Sequence, residues 1–218
     1  MTLTKEKLDF LRAEVEKRLS PKRFFHTLGV EAEVVALGEL YLPEQIPALR
    51  AAALLHDITK ELSTPEQIAL LRAYGIPESQ DELLSPQVLH GKTAAAMIKS
   101  EFADFALDEI ISAVDCHTTG KVGMTVFDCI LFLADYIEAG RRWEACQAMR
   151  NEFWGVDKAT LIKKEHLYLT VIKILENTLA YLKRNQMHIQ KDTKEALAYV
   201  QKLHGDSFSQ IGDSNGRN

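Results

Sequence analysis

Residues 51–60 have the sequence AAALLHDITK, which is the most informative stretch of the chain. The small and apolar residues 51–55 predict a buried helix, which ends with His56 and Asp57 side by side. Burying an imidazole and a carboxylate costs free energy unless each group finds a partner. A metal ion is a partner for both at once, so the pair predicts a metal site if other segments supply more ligands.

Other segments of the chain do carry such side chains. Asp135 is the hardest of them to explain as an ordinary surface residue, because it interrupts the apolar run CILFLADYI at residues 129–137. A carboxylate there needs a metal ion or an arginine, and Arg141 and Arg142 follow shortly afterwards. The further candidate ligands on or beside apolar segments are His26, His90 and His117.

Each histidine also has an ordinary structural explanation when it is taken alone. His26 could be a hydrogen-bonded core residue, His90 could cap the start of a helix, and His117 could cap the end of one. Four histidines and two aspartates beside buried segments are harder to explain in this way. Together they favour a metal centre over a helical bundle whose histidines only cap and pack.

Length and composition set limits on the class of protein. The chain has 218 residues, 46% of them hydrophobic, and a formal net charge of -5. This predicts a protein with one core and argues against broad electrostatic binding to nucleic acid or an anionic membrane. No signal-type or membrane-spanning stretch is present in the sequence, so a cytoplasmic location is expected. The three cysteines lack CxxC spacing, which argues against a disulfide framework or a zinc knot.

Apolar spacing predicts helices almost throughout and no strand, so the expected fold class is all-α. The expected organisation is an N-terminal helix at 1–20, one domain at 21–204 and a disordered tail at 205–218. Residues 77–86 are expected to form a loop. The predicted helices cover residues 5–19, 21–42, 46–57, 63–74, 87–102, 108–117, 124–139, 158–183 and 192–203.

The order H…HD…H…H…D resembles that of the HD-domain metal-dependent phosphohydrolases. Four phrases look like one branch, the bacterial YqeK-type symmetrical diadenosine tetraphosphate hydrolases. They are RFFH at 23–26, ALLHDITK at 53–60, HTTG at 117–120 and ADYIEAGR at 134–141. The resemblance covers roughly residues 21–184, and Ala139 departs from it where the branch often has proline. It implies a single HD-domain helical bundle with a metal site at its centre.

The resemblance also implies roles for individual residues. The ion is expected to be held by His26, His56, Asp57 and Asp135, with iron first and manganese, zinc or cobalt as alternatives. One tight ion is favoured, with His90 and His117 in contact with phosphate, although these two could instead complete a second site bridged by Asp57. The expected catalytic residues are Asp57, His90, His117 and Arg141. The expected nucleotide contacts are those four residues with Arg23, Phe24, Phe25, His26, Thr118, Thr119, Leu179, Tyr181 and Lys183.

The implied reaction is metal-dependent hydrolysis of diadenosine tetraphosphate into two ADP molecules. Other HD phosphohydrolases act on deoxynucleotides, cyclic nucleotides or guanosine tetraphosphate, and that alternative stays open here. A non-catalytic HD module that senses a nucleotide is a further alternative. The apolar helix at 158–183 could pack inside the domain or against a second copy, so a homodimer is also left open.

Overall fold

The computed structural model describes the backbone of residues 3–214 and the side chains of residues 3–206. This part of the chain is helical and contains no strand, which confirms the predicted all-α class. None of the described helices is long and apolar enough to cross a membrane. The helices are α1 (Lys5–Arg18), α2 (Pro21–Tyr41), α3 (Ile46–Leu55), α4 (Thr64–Ala73), α5 (Gln80–Leu83), α6 (Leu89–Glu101), α7 (Asp108–Cys116), α8 (Val126–Ile137), α9 (Glu144–Trp154), α10 (Lys158–Leu161), α11 (Lys164–Arg184) and α12 (Lys191–Ser214).

Local sequence signals set where the site-bearing helices begin. The Ser20 hydroxyl accepts a hydrogen bond from the backbone N–H of Arg23 at 3.3 Å, and Pro21 occupies the first turn of α2. At the start of α8, the Thr125 hydroxyl accepts from the backbone N–H of Asp128, whose carboxylate accepts from the Thr125 N–H in return. These caps fix the first turns of the helices that carry His26 and Asp135.

Helix α3 lies in the middle of the bundle, packed against α1, α2, α7 and α8. Its residues Ala51 to Leu55 are fully buried, and the three alanines let neighbouring helices approach closely. Helix α1 joins the same core through Leu8, Leu11 and Val15. Because α3 is enclosed on several sides, its C-terminal end, where His56 and Asp57 follow, is held in the interior.

The predicted helix at 158–183 is wrong in its first turns. The structure has two helices, α10 and α11, because Lys163 is extended between them (φ −84°, ψ 132°). The Asp157 side chain caps α10, and the Tyr41 hydroxyl donates to the carbonyl of Leu161 at 2.5 Å. A side-chain partner therefore satisfies a carbonyl at the end of α10, and the helix stops there.

Three other segments also differ from the sequence prediction. The loop expected at 77–86 contains α5, which begins at a capping box formed by Ser79 and Glu82. Helix α9 was not predicted. Helix α12 continues through residue 205 to Ser214, where a disordered tail was expected. Residues 215–218 of that predicted tail lie outside the described residues.

Candidate metal centre

Six side chains from five parts of the bundle meet at one place. His26 lies on α2, His90 on α6 and Asp135 on α8, while His117 directly follows α7. His56 and Asp57 lie in the turns that follow α3. Consecutive residues on a continuous helix diverge by about 100°, so the end of α3 is what lets both of them face the same space.

One group of possible ligand atoms surrounds His26, His56 and Asp135. The Nε2 atom of His26 lies 3.0 Å from Oδ1 of Asp135, and Nε2 of His56 lies 3.8 Å from the same oxygen. Oδ2 of Asp57 is 3.5 Å from His26 Nε2 and 3.4 Å from His56 Nε2. Such spacings suit ligands that each lie about 2.0–2.2 Å from a shared ion.

The other oxygen of Asp57 faces a second group. Oδ1 lies 3.2 Å from Nε2 of His90 and 3.7 Å from Nε2 of His117. The two imidazole Nε2 atoms are 3.1 Å apart. His56, Asp57 and His117 also bring ligand atoms within 4.8 Å of one another. Asp57 is therefore placed between two groups of ligands.

Three of the four rings are held by the backbone in the same way. Because a carbonyl oxygen only accepts hydrogen bonds, the Nδ1 atom of each ring carries the hydrogen, and the neutral ring presents a lone pair at Nε2. The donations run from His56 to Ala53 (2.6 Å), from His90 to Gln87 (3.0 Å) and from His117 to Val114 (2.7 Å).

The donor set fits a divalent ion. The Nε2 atom of His56 is buried and makes no hydrogen bond, although a lone pair in such a position costs free energy unless it is satisfied. Imidazole and carboxylate together suit transition metals such as iron, manganese, zinc or cobalt. The described residues therefore contain a His/Asp cluster that could hold a metal ion.

The charge states also suit ion binding. Burial would raise the pKa of Asp57, but the neighbouring His56 and His117 hold it well below its usual value. Burial opposes the ionised form of Asp135 as well, yet the Arg141 guanidinium and His26 keep its pKa well below the usual range. Both carboxylates are thus ionised at neutral pH, as ligands must be.

His26 and His90 differ in their basicity. Burial lowers the pKa of His26, but hydrogen bonds to Asp135 and Glu138 outweigh it and raise the pKa to about 9. Burial dominates at His90 and lowers its pKa to about 4. Without an ion, His26 is therefore protonated at neutral pH and His90 is not.

Two arginines flank the centre. Arg23 donates through Nη1 to Oδ2 of Asp57 at 2.7 Å, and Arg141 donates through Nη2 to Oδ1 of Asp135 at 2.5 Å. Both side chains are partly exposed, so each can also reach a ligand outside the cluster.

Sequence analysis missed Lys60 as a site residue. Its Nζ lies 3.2 Å from Nδ1 of His90, and burial lowers its pKa. Its position three residues after Asp57 in the HDITK turn was the signal that could have identified it.

A cavity of about 500 Å³ is lined in part by residues that neighbour the centre in sequence. Thr118 and Thr119, which follow His117, line one part of it, and Tyr136, which follows Asp135, lines another. Trp143 and Tyr181 add aromatic rings to its lining. Its size is within the range of small-molecule sites, which is about 300–1,000 Å³, and its mixed aromatic and polar lining suits a nucleoside.

Four of the predicted nucleotide contacts belong neither to the ligand cluster and its two arginines nor to the lining of this cavity. Leu179 and Lys183 do not line it, whereas residues 177, 178, 180, 181, 182 and 184 of α11 do. Phe24 packs against the core, and Phe25 is 71% exposed.

The comparison with protein families covers the same segment that supplies the centre. The sequence model of the HD domain matches residues 23–140, which contain all six residues of the cluster. The chain belongs to the HD domain family. The His/Asp cluster therefore lies within the segment that matches the HD family.

Relatives in this family carry a specific name. A Halalkalibacterium halodurans protein named symmetrical bis(5'-nucleosyl)-tetraphosphatase is 31% identical over 181 residues, which is 82% of this chain and 89% of that protein. Proteins of the same name from Staphylococcus aureus and Bacillus subtilis are 28% and 27% identical, over 84% and 82% of this chain and 89% of each relative.

A solved structure shows the same fold. It is a Clostridium acetobutylicum protein described as a predicted HD superfamily hydrolase involved in NAD metabolism. The TM-score is 0.77 at 23% identity, and the match covers 89% of this chain and 97% of that one.

Proposed function

We propose that this HD protein is a metal-dependent hydrolase that cleaves diadenosine tetraphosphate symmetrically into two ADP molecules. The observation that carries the proposal is that residues next in sequence to the ligand cluster line the cavity. Thr118 and Tyr136 line the cavity, and each follows a residue of the cluster by one position. The name shared by three relatives over more than four fifths of the chain supports this substrate.

The principal ion would be held by His26, His56, Asp57 and Asp135, and iron is the proposed ion. When bound, it would neutralise phosphate charge and lower the pKa of a water molecule toward neutrality. Imidazole and carboxylate ligands serve manganese, zinc and cobalt as well, so these stay alternatives.

The chain's own residues bind and orient the polyphosphate. Arg23 and Arg141 each present a planar guanidinium that can bind two phosphate oxygens at once. Their positions beside Asp57 and Asp135 direct that binding to the edge of the cluster. In this proposal the cavity takes one nucleoside, and Arg141 stabilises the negative charge on the departing ADP.

The tethered rings of His90 and His117 favour a second cation over direct phosphate contact, contrary to the preference drawn from the sequence. A phosphate oxygen needs a hydrogen-bond donor, whereas a ring whose only hydrogen is on Nδ1 presents a lone pair at Nε2. Those two atoms lie 3.1 Å apart beside an ionised Asp57 oxygen. A cation between them would satisfy all three acceptors.

Product analysis tests the proposed reaction. The purified protein, supplied with Fe²⁺ or Mn²⁺, is expected to release only ADP from diadenosine tetraphosphate, whereas asymmetric cleavage would give ATP and AMP. Deoxynucleotides, cyclic nucleotides and guanosine tetraphosphate serve as competing substrates. Turnover of one of these without ADP release from diadenosine tetraphosphate would refute the proposal. The homodimer and the cytoplasmic location stay predictions.

A further inference from the structure

Glu138 directly follows α8 and lies buried beside the metal centre. Only 2% of the residue is exposed, and its Oε1 lies 3.2 Å from Nδ1 of His26. His26 is thus the one histidine of the four whose Nδ1 meets a side chain instead of a backbone carbonyl. The partner lies 112 residues away in the chain.

The position of His26 on its helix explains this difference. His56 and His117 follow the ends of α3 and α7, and His90 is the second residue of α6. His26 lies inside α2, where the nearby carbonyls are engaged by backbone N–H groups of the helix itself. Its ring therefore needs a side-chain acceptor to fix its orientation.

Two glycines leave room for the Glu138 carboxylate. The backbone N–H of Gly140 donates to its Oε2. A Cβ atom placed on Gly29 would collide with the same oxygen. Gly29 is three residues after His26, hence on the same face of α2. Glycine inside a helix costs roughly 0.5–1 kcal/mol relative to alanine, and here it keeps the carboxylate against the ring.

We propose that Glu138 is a positioning residue: it accepts the Nδ1 hydrogen of His26 and turns the Nε2 lone pair toward the ion, in space that Gly29 keeps free. A carboxylate partner also makes a coordinating imidazole more basic, and loss of such partners typically weakens metal binding about 10–100-fold. The proposal rests on the metal centre of the proposed function but not on its substrate.

Three variants of the full-length protein test this role through Mn²⁺ affinity, measured by competition with a chelator. Glu138→Gln keeps an acceptor but removes the charge, and its affinity is expected to fall about tenfold. Glu138→Ala removes the acceptor, and a fall approaching about 100-fold is expected. Gly29→Ala leaves every ligand and Glu138 itself in the sequence, yet it should weaken binding by displacing the carboxylate.

Two controls separate this role from general destabilisation. A Cβ on Gly38, on the same helix, would meet only the side chains of Ile46 and Leu49, so Gly38→Ala should lower the melting temperature without changing Mn²⁺ affinity. Glu39→Gln removes another carboxylate of α2, one that is exposed. It should leave Mn²⁺ affinity unchanged.

Long-range ¹H–¹⁵N spectra of the Zn²⁺-loaded protein provide a readout independent of affinity. In the wild type, His26 should coordinate through Nε2 and carry a slowly exchanging hydrogen on Nδ1, and Glu138→Ala should abolish the slow exchange. The proposal would be overturned if Glu138→Gln and Gly29→Ala fold and bind Mn²⁺ as tightly as the wild type. It would also be overturned if His26 carried its hydrogen on Nε2, or if the wild-type protein bound no ion. If ion binding depends on Glu138 but diadenosine tetraphosphate is not cleaved, the proposed substrate fails and this inference stands.

Discussion

Arg23 donates to Asp57 across 2.7 Å, so a cation proposed to bind phosphate contacts a proposed metal ligand directly. Asp57 uses one oxygen for this contact and for the His26 and His56 rings, and the other for His90 and His117. The arginine therefore holds the carboxylate in the orientation that serves both ligand groups. It also lies where a phosphate bound at the ion would meet it.

Replacing Arg23 should impair substrate use more than ion binding. Arg23→Ala removes charge-assisted hydrogen bonds worth about 1.5–3 kcal/mol, so kcat/KM for diadenosine tetraphosphate should fall roughly 10–150-fold. Arg23→Lys should recover only part of this, because lysine cannot bind two oxygens in a planar fork. The neighbouring Lys22 is exposed, and Lys22→Ala is the matched control. An equal loss in that control would mean that long-range charge, not contact, is responsible.

Removing the Asp135 carboxylate should abolish ion retention and its stabilising effect. An ion present at 100 times its dissociation constant stabilises the folded state by about 2.7 kcal/mol. Chelation should therefore lower the melting temperature of the wild type but not of Asp135→Asn. Asp128 is a buried carboxylate on the same helix that caps α8 and lies outside the cluster. Asp128→Asn should be less stable than the wild type yet still respond to chelation; a wild type indifferent to chelation would argue against the centre.

The sequence was sufficient to predict the fold class and to single out the six residues that meet in the cluster. Each of them is a polar group beside an apolar segment. This pattern can be recognised locally, because burying a polar group costs free energy unless it finds a partner. Glu138 gave no such signal, because it follows the apolar helix and its partner His26 is distant in sequence. Its role depends on how α2 and α8 pack, which local spacing does not encode.

The nucleoside side of the site was harder to predict for a related reason. Tyr181, Leu179 and Lys183 lie within one helical turn or so, and only the rotation of α11 against the bundle decides which of them faces the cavity. That rotation is set by tertiary packing of residues such as Leu167, Val171 and Leu175. The break between α10 and α11 likewise depends on Tyr41, a residue of another helix.

Tyr181 and Lys183 should therefore differ in their effect on substrate binding. Stacking of a base on an aromatic side chain is worth about 1–3 kcal/mol, so Tyr181→Ala should raise KM about fivefold to 150-fold with little change in kcat. Lys183→Ala and Leu179→Ala should leave KM close to that of the wild type, because neither residue lines the cavity. Steady-state kinetics with diadenosine tetraphosphate give both constants. A larger effect at Lys183 than at Tyr181 would place the nucleoside elsewhere.

The burial of Glu33 on α2 predicts that the free energy of unfolding depends on pH. Burial raises its pKa, although the hydrogen bond from Trp154 opposes this in part. The folded state then binds more protons than the unfolded state, so this group's contribution to the free energy of unfolding falls as pH rises from its unfolded value through its folded value. Glu33→Gln keeps an acceptor for the indole and removes the buried charge. It should raise the melting temperature at pH 7 by up to about 2–4 °C, the shift expected for ~1 kcal/mol in a chain of this size.

The gain in melting temperature from Glu33→Gln should shrink as pH approaches 4, where the wild-type carboxyl is neutral as well. Glu39 is exposed on the same helix, so Glu39→Gln should give no comparable gain at any pH. Thermal unfolding of the three proteins at several pH values between 4 and 7 measures the difference directly. If Glu33→Gln were less stable than the wild type at pH 7, the ionised carboxylate would be a favourable partner of Trp154 or of the nearby Arg150, and burial would not dominate at this position.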